Sequence, residues 1–247
     1  MNGAESLVHS LLKSGVDTCF CNPGTSEMHF VAALDRIEGM HCVLGLFEGV
    51  VTGAADGYAR MAGKPAATLL HCGPGLANGL ANLHNARRAS TPVVNIVGDQ
   101  ATYHRPFDAP LTADTEGFAR GVSGWVRTAS DVRTVGADAA AAVQAARAAP
   151  GQVATLILPS DTSWNEGGVV AEPLPALTTP LAAPSQVEEA AAILRAGHGR
   201  GAVLMIGGDG LSEAGQAAAS RLTAATGCRL MADTVGRMPR GRGCVAM

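Results

Sequence analysis

Apolar residues along the chain recur in two alternating rhythms. Stretches with apolar positions three and four apart, the spacing of one helix face, alternate with short and nearly continuous apolar runs. The first rhythm predicts helices over residues 3–14 (with Leu7, Leu11 and Leu12 on or near one face), 27–37, 49–61, 76–88 and 137–148. The second predicts strands over 17–21, 41–46, 66–71, 93–97 and 153–158, with a weaker strand signal at 123–128. Turn signals punctuate them at Asn22-Pro23-Gly24, Gly73-Pro74-Gly75, Thr91-Pro92 and Gly98-Asp99. Residues 101–117 read as an irregular loop. Apolar strands alternating with helices imply an α/β fold, a parallel sheet with helices on both faces. Ligands in such folds gather at the carboxyl ends of the strands. Those ends carry Asn22-Pro23-Gly24-Thr25, Glu48, His71 with Gly73-Pro74-Gly75, and Gly98-Asp99-Gln100.

The rhythm breaks near residue 166. Pro173, Pro175, Pro180 and Pro184 sit among Ala, Thr and Leu, the composition of a linker. A second α/β unit then opens, with helices over 185–196 and 212–225 and strands over 202–206 and 228–232. The expected organisation is a first domain over 1–165, a linker over 166–184, and the beginning of a second domain over 185–247, cut short or completed by something outside the chain.

Composition narrows the function classes. Of 247 residues 47% are apolar, enough for a sizeable core, and the net charge of −3 leaves no basic stripe for nucleic acid. No apolar run approaches the ~20 residues of a membrane span, and no secretory leader is read at the N-terminus. The six cysteines form no CxxC pair, so neither a zinc site nor a disulfide framework is expected. Free thiols and a cytoplasmic location are the simpler reading. Neither nucleic acid nor membrane is expected as a partner.

The stretch richest in chemistry runs from Leu46 to Arg60, where Glu48 ends a strand and opens a helix of small residues. A carboxylate there can simply complement the helix dipole. Small residues at 49, 53, 54 and 57 suggest in addition that something approaches the backbone closely. Glu48 through Arg60 reproduces E-x-x-x-x-x-x-A-D-G-Y-A-R, and the segment resembles the glutamate motif of thiamine-diphosphate-dependent enzymes acting on 2-keto acids. Cys72-Gly73-Pro74-Gly75-Leu76-Ala77-Asn78 looks like their S-G-P-G-x-x-N loop, and Gly98-Asp99-Gln100 like their T-G-Q segment. The resemblance covers about residues 1–165, the family's pyrimidine-binding domain.

That resemblance implies thiamine diphosphate as cofactor. Glu48 would hydrogen-bond the aminopyrimidine ring nitrogen and favour the tautomer that deprotonates thiazolium C2. Pro23, Gly24, Gly73, Pro74 and Asn78 would contact the cofactor, and Gln100 would lie toward substrate. Asn22-Pro23-Gly24-Thr25-Ser26-Glu27 resembles the N-P-G-S-x-E loop of benzoylformate decarboxylase, which places Thr25 against substrate. Leu70-His71-Cys72 resembles the L-H-S of the same enzyme, which gives His71 a proton-transfer role, although a lone histidine is more often structural. His29, His84 and His104 have no comparable support. The first domain and Pro159-Ser160-Asp161 are closer to acetolactate synthase, while Leu46-Phe47-Glu48-Gly49 departs from that group's Arg-His-Glu-Gln.

Three readings follow: an acetolactate-synthase-like enzyme that decarboxylates a 2-keto acid and joins the product to an acceptor, a benzoylformate-type decarboxylase, and a non-catalytic relative. The family's Mg²⁺ is held by a G-D-G segment and a later Asn. Gly207-Gly208-Asp209-Gly210 has no Asn after it, so no metal ligand is assigned in this chain and the Mg²⁺ ligands are expected outside it. FAD is left open. The resemblance also implies a homodimer or homotetramer, and a chain that is inactive by itself.

Overall fold

A computed structural model describes residues 1–179, 181–196 and 201–233. The chain divides into two units, Met1–Leu177 and Thr178–Met247. The first opens with α1 (Gly3–Lys13), whose start is fixed by a reciprocal cap: Asn2 Oδ1 accepts from the Glu5 amide, and Glu5 accepts from the Asn2 amide. There follow β1 (Thr18–Asn22), a 3-10 turn Thr25–Glu27, α2 (Met28–Arg36), β2 (His41–Leu44), α3 (Glu48–Ala62), β3 (Ala66–Leu70), α4 (Cys72–Arg88) and β4 (Val93–Asp99). The unit continues with α5 (Thr115–Arg120), β5 (Trp125–Thr128), α6 (Val135–Arg147), β6 (Val153–Pro159) and α7 (Ser160–Trp164).

All six strands are parallel, in the order β2-β1-β3-β4-β6-β5. Strand alternation divides the core into two faces. Leu69, Val94, Ile96 and Leu156 pack with Leu7, Leu11, Phe30 and Val143 under α1, α2 and α6. Leu70, Val93 and Val97 pack with Val51, Leu76, Leu83 and Ala119 under α3, α4 and α5. The expected α/β fold with helices on both faces is therefore the observed one. A polar row crosses the second face: Thr68 donates to Asn95 at 2.7 Å, Asn95 donates to Thr155 at 2.9 Å, and Ser123 meets Thr155 at 2.7 Å. Each buried polar atom of that row finds its partner on the neighbouring strand.

Three stretches differ from the sequence expectation. Helix α4 begins at Cys72 rather than 76, because Pro74 falls in its first turn, where a missing amide costs nothing. The 101–117 loop ends in α5, started by Asp114, whose side chain accepts from the Gly117 amide at 2.8 Å. Residues 166–177, expected as the first part of a linker, run along the first unit: Gly167 and Gly168 donate to the Met1 carbonyl, Ala171 to Ser10 Oγ, and Gln144 to the Pro175 carbonyl.

Small residues of α3 and α4 let the two helices approach closely. A Cβ on Gly53 would lie 2.9 Å from Asn82 Nδ2, and one on Gly79 would lie 2.9 Å from Thr52 Cγ2. The approach is sealed by polar bonds between the helices, Thr52 Oγ1 to the Gly79 carbonyl at 3.1 Å and Asn82 Nδ2 to the Gly49 carbonyl at 2.7 Å. What approaches Gly53 is thus α4, whereas at Gly49 the Phe47 ring is nearest, 2.4 Å from where a Cβ would lie, with the Asn78 carbonyl of α4 next at 3.3 Å. Gly57 has nothing within 4 Å of its missing Cβ. Farther along α3, Asp56 and Arg60 pair at 2.7 Å, and Tyr58 meets Thr18 at 3.1 Å and Phe20 edge-on. Within the A-D-G-Y-A-R part of the motif, Tyr58 fixes α3 to β1, whereas the Asp56–Arg60 pair lies within α3.

The second unit contains α8 (Pro184–Ala196), β7 (Val203–Ile206), α9 (Glu213–Thr226) and β8 (Arg229–Ala232), with β7 and β8 parallel. The Gly207–Gly210 segment forms the turn from β7 toward α9, with Ser212 capping α9.

The two helix glycines should respond oppositely to alanine. Gly57→Ala should stabilise the first unit by up to about 1 kcal/mol through helix propensity alone. Gly79→Ala gains the same term but overpacks against Thr52 at a cost of about 1–3 kcal/mol, so it should be neutral to destabilising. Urea unfolding midpoints of the two variants would decide, and equal stabilisation of both would refute the close packing.

Candidate functional site

The connections leave β1 and β3 in opposite senses. From β1 the chain crosses through α2 to the edge strand β2, and from β3 it crosses through α4 on the other face to β4. Such a reversal opens a crevice at the carboxyl ends of the two neighbouring strands. Glu27 enters it from the loop after β1, and His71 and Cys72 from the end of β3.

Glu27 is buried at 2% exposure and connects the loops after β1 and β3 with the end of β4. Its Oε2 accepts from the Gly24 amide at 2.8 Å and lies 2.8 Å from His71 Nδ1. Its Oε1 lies 3.8 Å from Cys72 Sγ and presses on Gly98, where a Cβ would come within 1.6 Å of it. A carboxylate only accepts, so it orients His71 with the proton on Nδ1. No hydrogen bond to Nε2 occurs among the described residues. The His71 ring rests on Gly24, where a Cβ would lie 2.3 Å away.

Cys72 opens α4 with φ +52, a conformation a residue with a side chain seldom adopts. Burial pushes its thiol up to about 12, and the charges of Glu27 and Asp99 add to this, while the hydrogen bond between Cys72 Sγ and Ser26 Oγ works against it. Cys72 is therefore a protonated thiol at neutral pH and no ready nucleophile.

Glu48 stands at the first position of α3 with 8% exposure. Asn78 Nδ2 donates to its Oε2 at 3.0 Å. Its Oε1 is near Gly75, where a Cβ would lie 2.9 Å from that oxygen and 3.4 Å from His71 Cβ. Gly75 is the thin wall between Glu48 and His71. The structure thus brings together Glu48, Asn78, Gly24 and His71 of the residues singled out from sequence. Thr25 and Pro74 are exposed on the same rim, Pro23 is half-buried, and Gly73 is buried against Ala113. Gln100 donates its side-chain amide to the Pro110 carbonyl at 2.7 Å. No hydrogen bond among the described residues joins Thr25, Pro74 or Gln100 to Glu48 or His71. Sequence reading gave no role to Glu27. Its signal was the carboxylate three residues after Gly24, the spacing of a side chain that reaches back to cap a turn.

Asp99 ends β4 at 1% exposure. Its Oδ1 accepts from the Gln100 amide, and its Oδ2 has no hydrogen bond but lies 3.5 Å from Arg105 Nε. Burial raises its pKa, the Gln100 amide and Arg105 lower it, and Glu116 raises it, with a net upward shift. A carboxyl with a raised folded pKa holds its proton more tightly folded than unfolded, so its ionisation costs stability. That cost is absent below the unfolded value of about 4 and complete above the folded pKa. Asp99→Asn should therefore raise the melting temperature at pH 7, with the gain fading as the pH falls toward 4. A loss of stability at pH 7 would show that the Arg105 pair outweighs burial.

Residues 1–120 match the family described as thiamine pyrophosphate enzyme, N-terminal TPP binding domain. The chain is 54% identical over its whole length to a Mycobacterium tuberculosis protein provisionally named acetolactate synthase large subunit IlvX, of which it covers 47%. It is 33% identical over 81% of its length to benzoylformate decarboxylase of Pseudomonas aeruginosa, of which it covers 38%. The chain therefore spans less than half the length of these relatives. An X-ray structure from Mycobacterium smegmatis, provisionally described as a thiamin diphosphate-dependent enzyme, has the same fold, with a TM-score of 0.85 at 24% identity over 97% of this chain and 46% of that one. Among the described residues, no helix is long and apolar enough to cross a membrane. Over residues 1–120 the first unit is thus matched as the N-terminal TPP binding domain of a thiamine pyrophosphate enzyme.

Proposed function

We propose that the first unit supplies the aminopyrimidine-binding half of a thiamine diphosphate site, and that the whole protein carries out acetolactate-synthase-like decarboxylation of a 2-keto acid with carboligation. The observation that carries this reading is Glu48: a nearly buried carboxylate at a helix start, with one oxygen held by Asn78 and the other beside a glycine that admits close approach. This donor set fits a flat ring with a protonatable nitrogen. Asn78 orients the carboxylate, and Glu48 holds or shares a proton at its free oxygen. The bound cofactor would supply the carbanion chemistry. The charged diphosphate and its Mg²⁺ need ligands of another kind, which we assign to sequence beyond this chain.

Leu44, Leu46, Phe47 and Val50 are exposed around Glu48, with Leu46 at 90% exposure. Apolar residues so close to a catalytic carboxylate support a second subunit covering this face, hence a homodimer or a homotetramer built from it. Closure there would exclude water from Glu48.

The Glu27–His71 pair favours a second reading, a benzoylformate-type decarboxylase. A histidine fixed by a buried carboxylate keeps Nε2 available as an acid–base group, and exposed Thr25 lies on the same rim. Product analysis of the full-length protein with pyruvate and with benzoylformate separates the two: a carboligation product supports the first, an aldehyde alone the second, and turnover of neither substrate refutes both.

Three expectations follow for the loaded protein and this chain. Glu48→Gln in the full-length protein should keep the fold and lower turnover by about 10²–10⁴, and near wild-type turnover would remove Glu48 from its role. His71→Ala should slow turnover while leaving exchange of the cofactor's C2 hydrogen almost unchanged, whereas a fall in both rates, or in neither, would leave His71 a structural residue. The 247-residue chain alone should bind thiamine diphosphate with Mg²⁺ weakly in calorimetry, and tight stoichiometric binding would overturn the assignment of the diphosphate ligands elsewhere.

A further inference from the structure

We propose that Glu27, His71 and Cys72 form a site for one thiophilic divalent cation of the zinc class. A carboxylate oxygen, an imidazole nitrogen and a thiol sulfur, one from each residue, all lie within 4.8 Å of one another. Carboxylate, imidazole and thiolate are the ligand types zinc takes, and three protein ligands with one open position is a recurrent zinc arrangement. Bond lengths of about 2.0–2.3 Å place tetrahedral ligand atoms roughly 3.3–3.7 Å apart. The His71 Nδ1–Glu27 Oε2 separation is 2.8 Å and the Cys72 Sγ–Glu27 Oε1 separation 3.8 Å. The two separations involve different Glu27 oxygens, and with one ligand atom of each residue within 4.8 Å of the others, shifts of roughly 1 Å would bring the three to a ligand geometry.

The backbone explains how neighbours in sequence serve one ion. Successive residues of an extended strand point to opposite faces. The left-handed turn at Cys72, φ +52, breaks that alternation, so that His71 and Cys72 both converge on Glu27. The ligands come from two loops, which is why no metal-ligand spacing is visible in the sequence. Glu27 and Cys72 are buried and His71 is 23% exposed, so the open position faces the His71 side of the crevice. A soft cation is favoured over Mg²⁺, because Mg²⁺ requires oxygen ligands and octahedral geometry.

Binding replaces protons in a balanced way. The Cys72 thiol gives its proton to solvent and binds as thiolate. The His71 proton moves from Nδ1 to Nε2 as Nδ1 takes the cation. Nε2 then changes from acceptor to donor, so an occupied site would block the substrate-side role of His71. This last consequence rests on the proposed function, whereas cation binding does not.

The test uses the full 247-residue chain, reduced and in excess Mg²⁺, titrated with Zn²⁺ by calorimetry and with Co²⁺ by absorption. A sulfur-to-cobalt charge-transfer band reports a cysteine ligand without any need for enzyme activity. The expected result is one Zn²⁺ per chain and a clear band. Cys72→Ser should abolish the band, and His71→Asn should weaken Zn²⁺ binding by at least about tenfold. The exposed-thiol control Cys42→Ser should change neither. If Cys72→Ser does not fold, as judged by circular dichroism, His71→Asn alone decides. Absence of stoichiometric binding, absence of the band, or unchanged affinity in His71→Asn would overturn the site. Loss of turnover in Glu48→Gln leaves the Zn²⁺ result unaffected, so the two readings fail separately.

Discussion

The Glu27 carboxylate has hydrogen-bonding partners or close contacts in the loops after β1 and β3 and in the last turn of β4. An ionised or hydrogen-bonded carboxyl is expensive to bury unless every lone pair is used. Here one oxygen serves the Gly24 amide and the His71 ring, and the other is wedged against Gly98 and Cys72. The glycines at 24 and 98 are required by this carboxylate, since a Cβ at either would collide with the His71 ring or with Glu27 itself. The rim is thus assembled around one side chain, and His71 owes its tautomer and its orientation to it. Ser160 adds to the same rim from the start of α7, donating to the Asp99 carbonyl at 2.8 Å.

The second carboxylate, Glu48, is placed by different means. It depends on the close contact of α3 and α4, which brings Asn78 into reach. Thr52 and Asn82 bond across the same helix pair to backbone carbonyls of the opposite helix, so the contact is specific as well as close. Gly75 and His71 lie between the two carboxylates, which approach the crevice from different elements. One is tied to the loops and the other to the helices.

The alternation of helix and strand was legible in the chain because it is local. Apolar spacing in α1, β3, β4 and β6 reflects a period that neighbouring residues alone impose, and Asn2 with Glu5 caps a helix with partners three residues apart. Glu48 was legible for a similar reason: its motif is one continuous run. What its small residues meet was not legible: Gly53 answers to α4, Gly49 to the Phe47 ring, and Tyr58 anchors α3 to β1. Helix α5 and the early start of α4 were missed because Asp114 and Pro74 are short-range signals that resemble loop residues when no apolar period accompanies them.

By itself the sequence determined the α/β class, the sheet's apolar strands, the candidate carboxylate at 48 and the family resemblance, all of which are properties of contiguous residues. Only the tertiary structure decided the strand order, and with it the position of the crevice between β1 and β3. It decided that Asn78 holds Glu48 and that Gln100 is bonded to Pro110. Above all it decided that Glu27, 44 positions from His71, is that residue's partner. The physical reason is range. Local periodicity is written into neighbouring residues, whereas a buried carboxylate acquires its partners from loops that meet only when parallel strands of distant sequence are laid side by side.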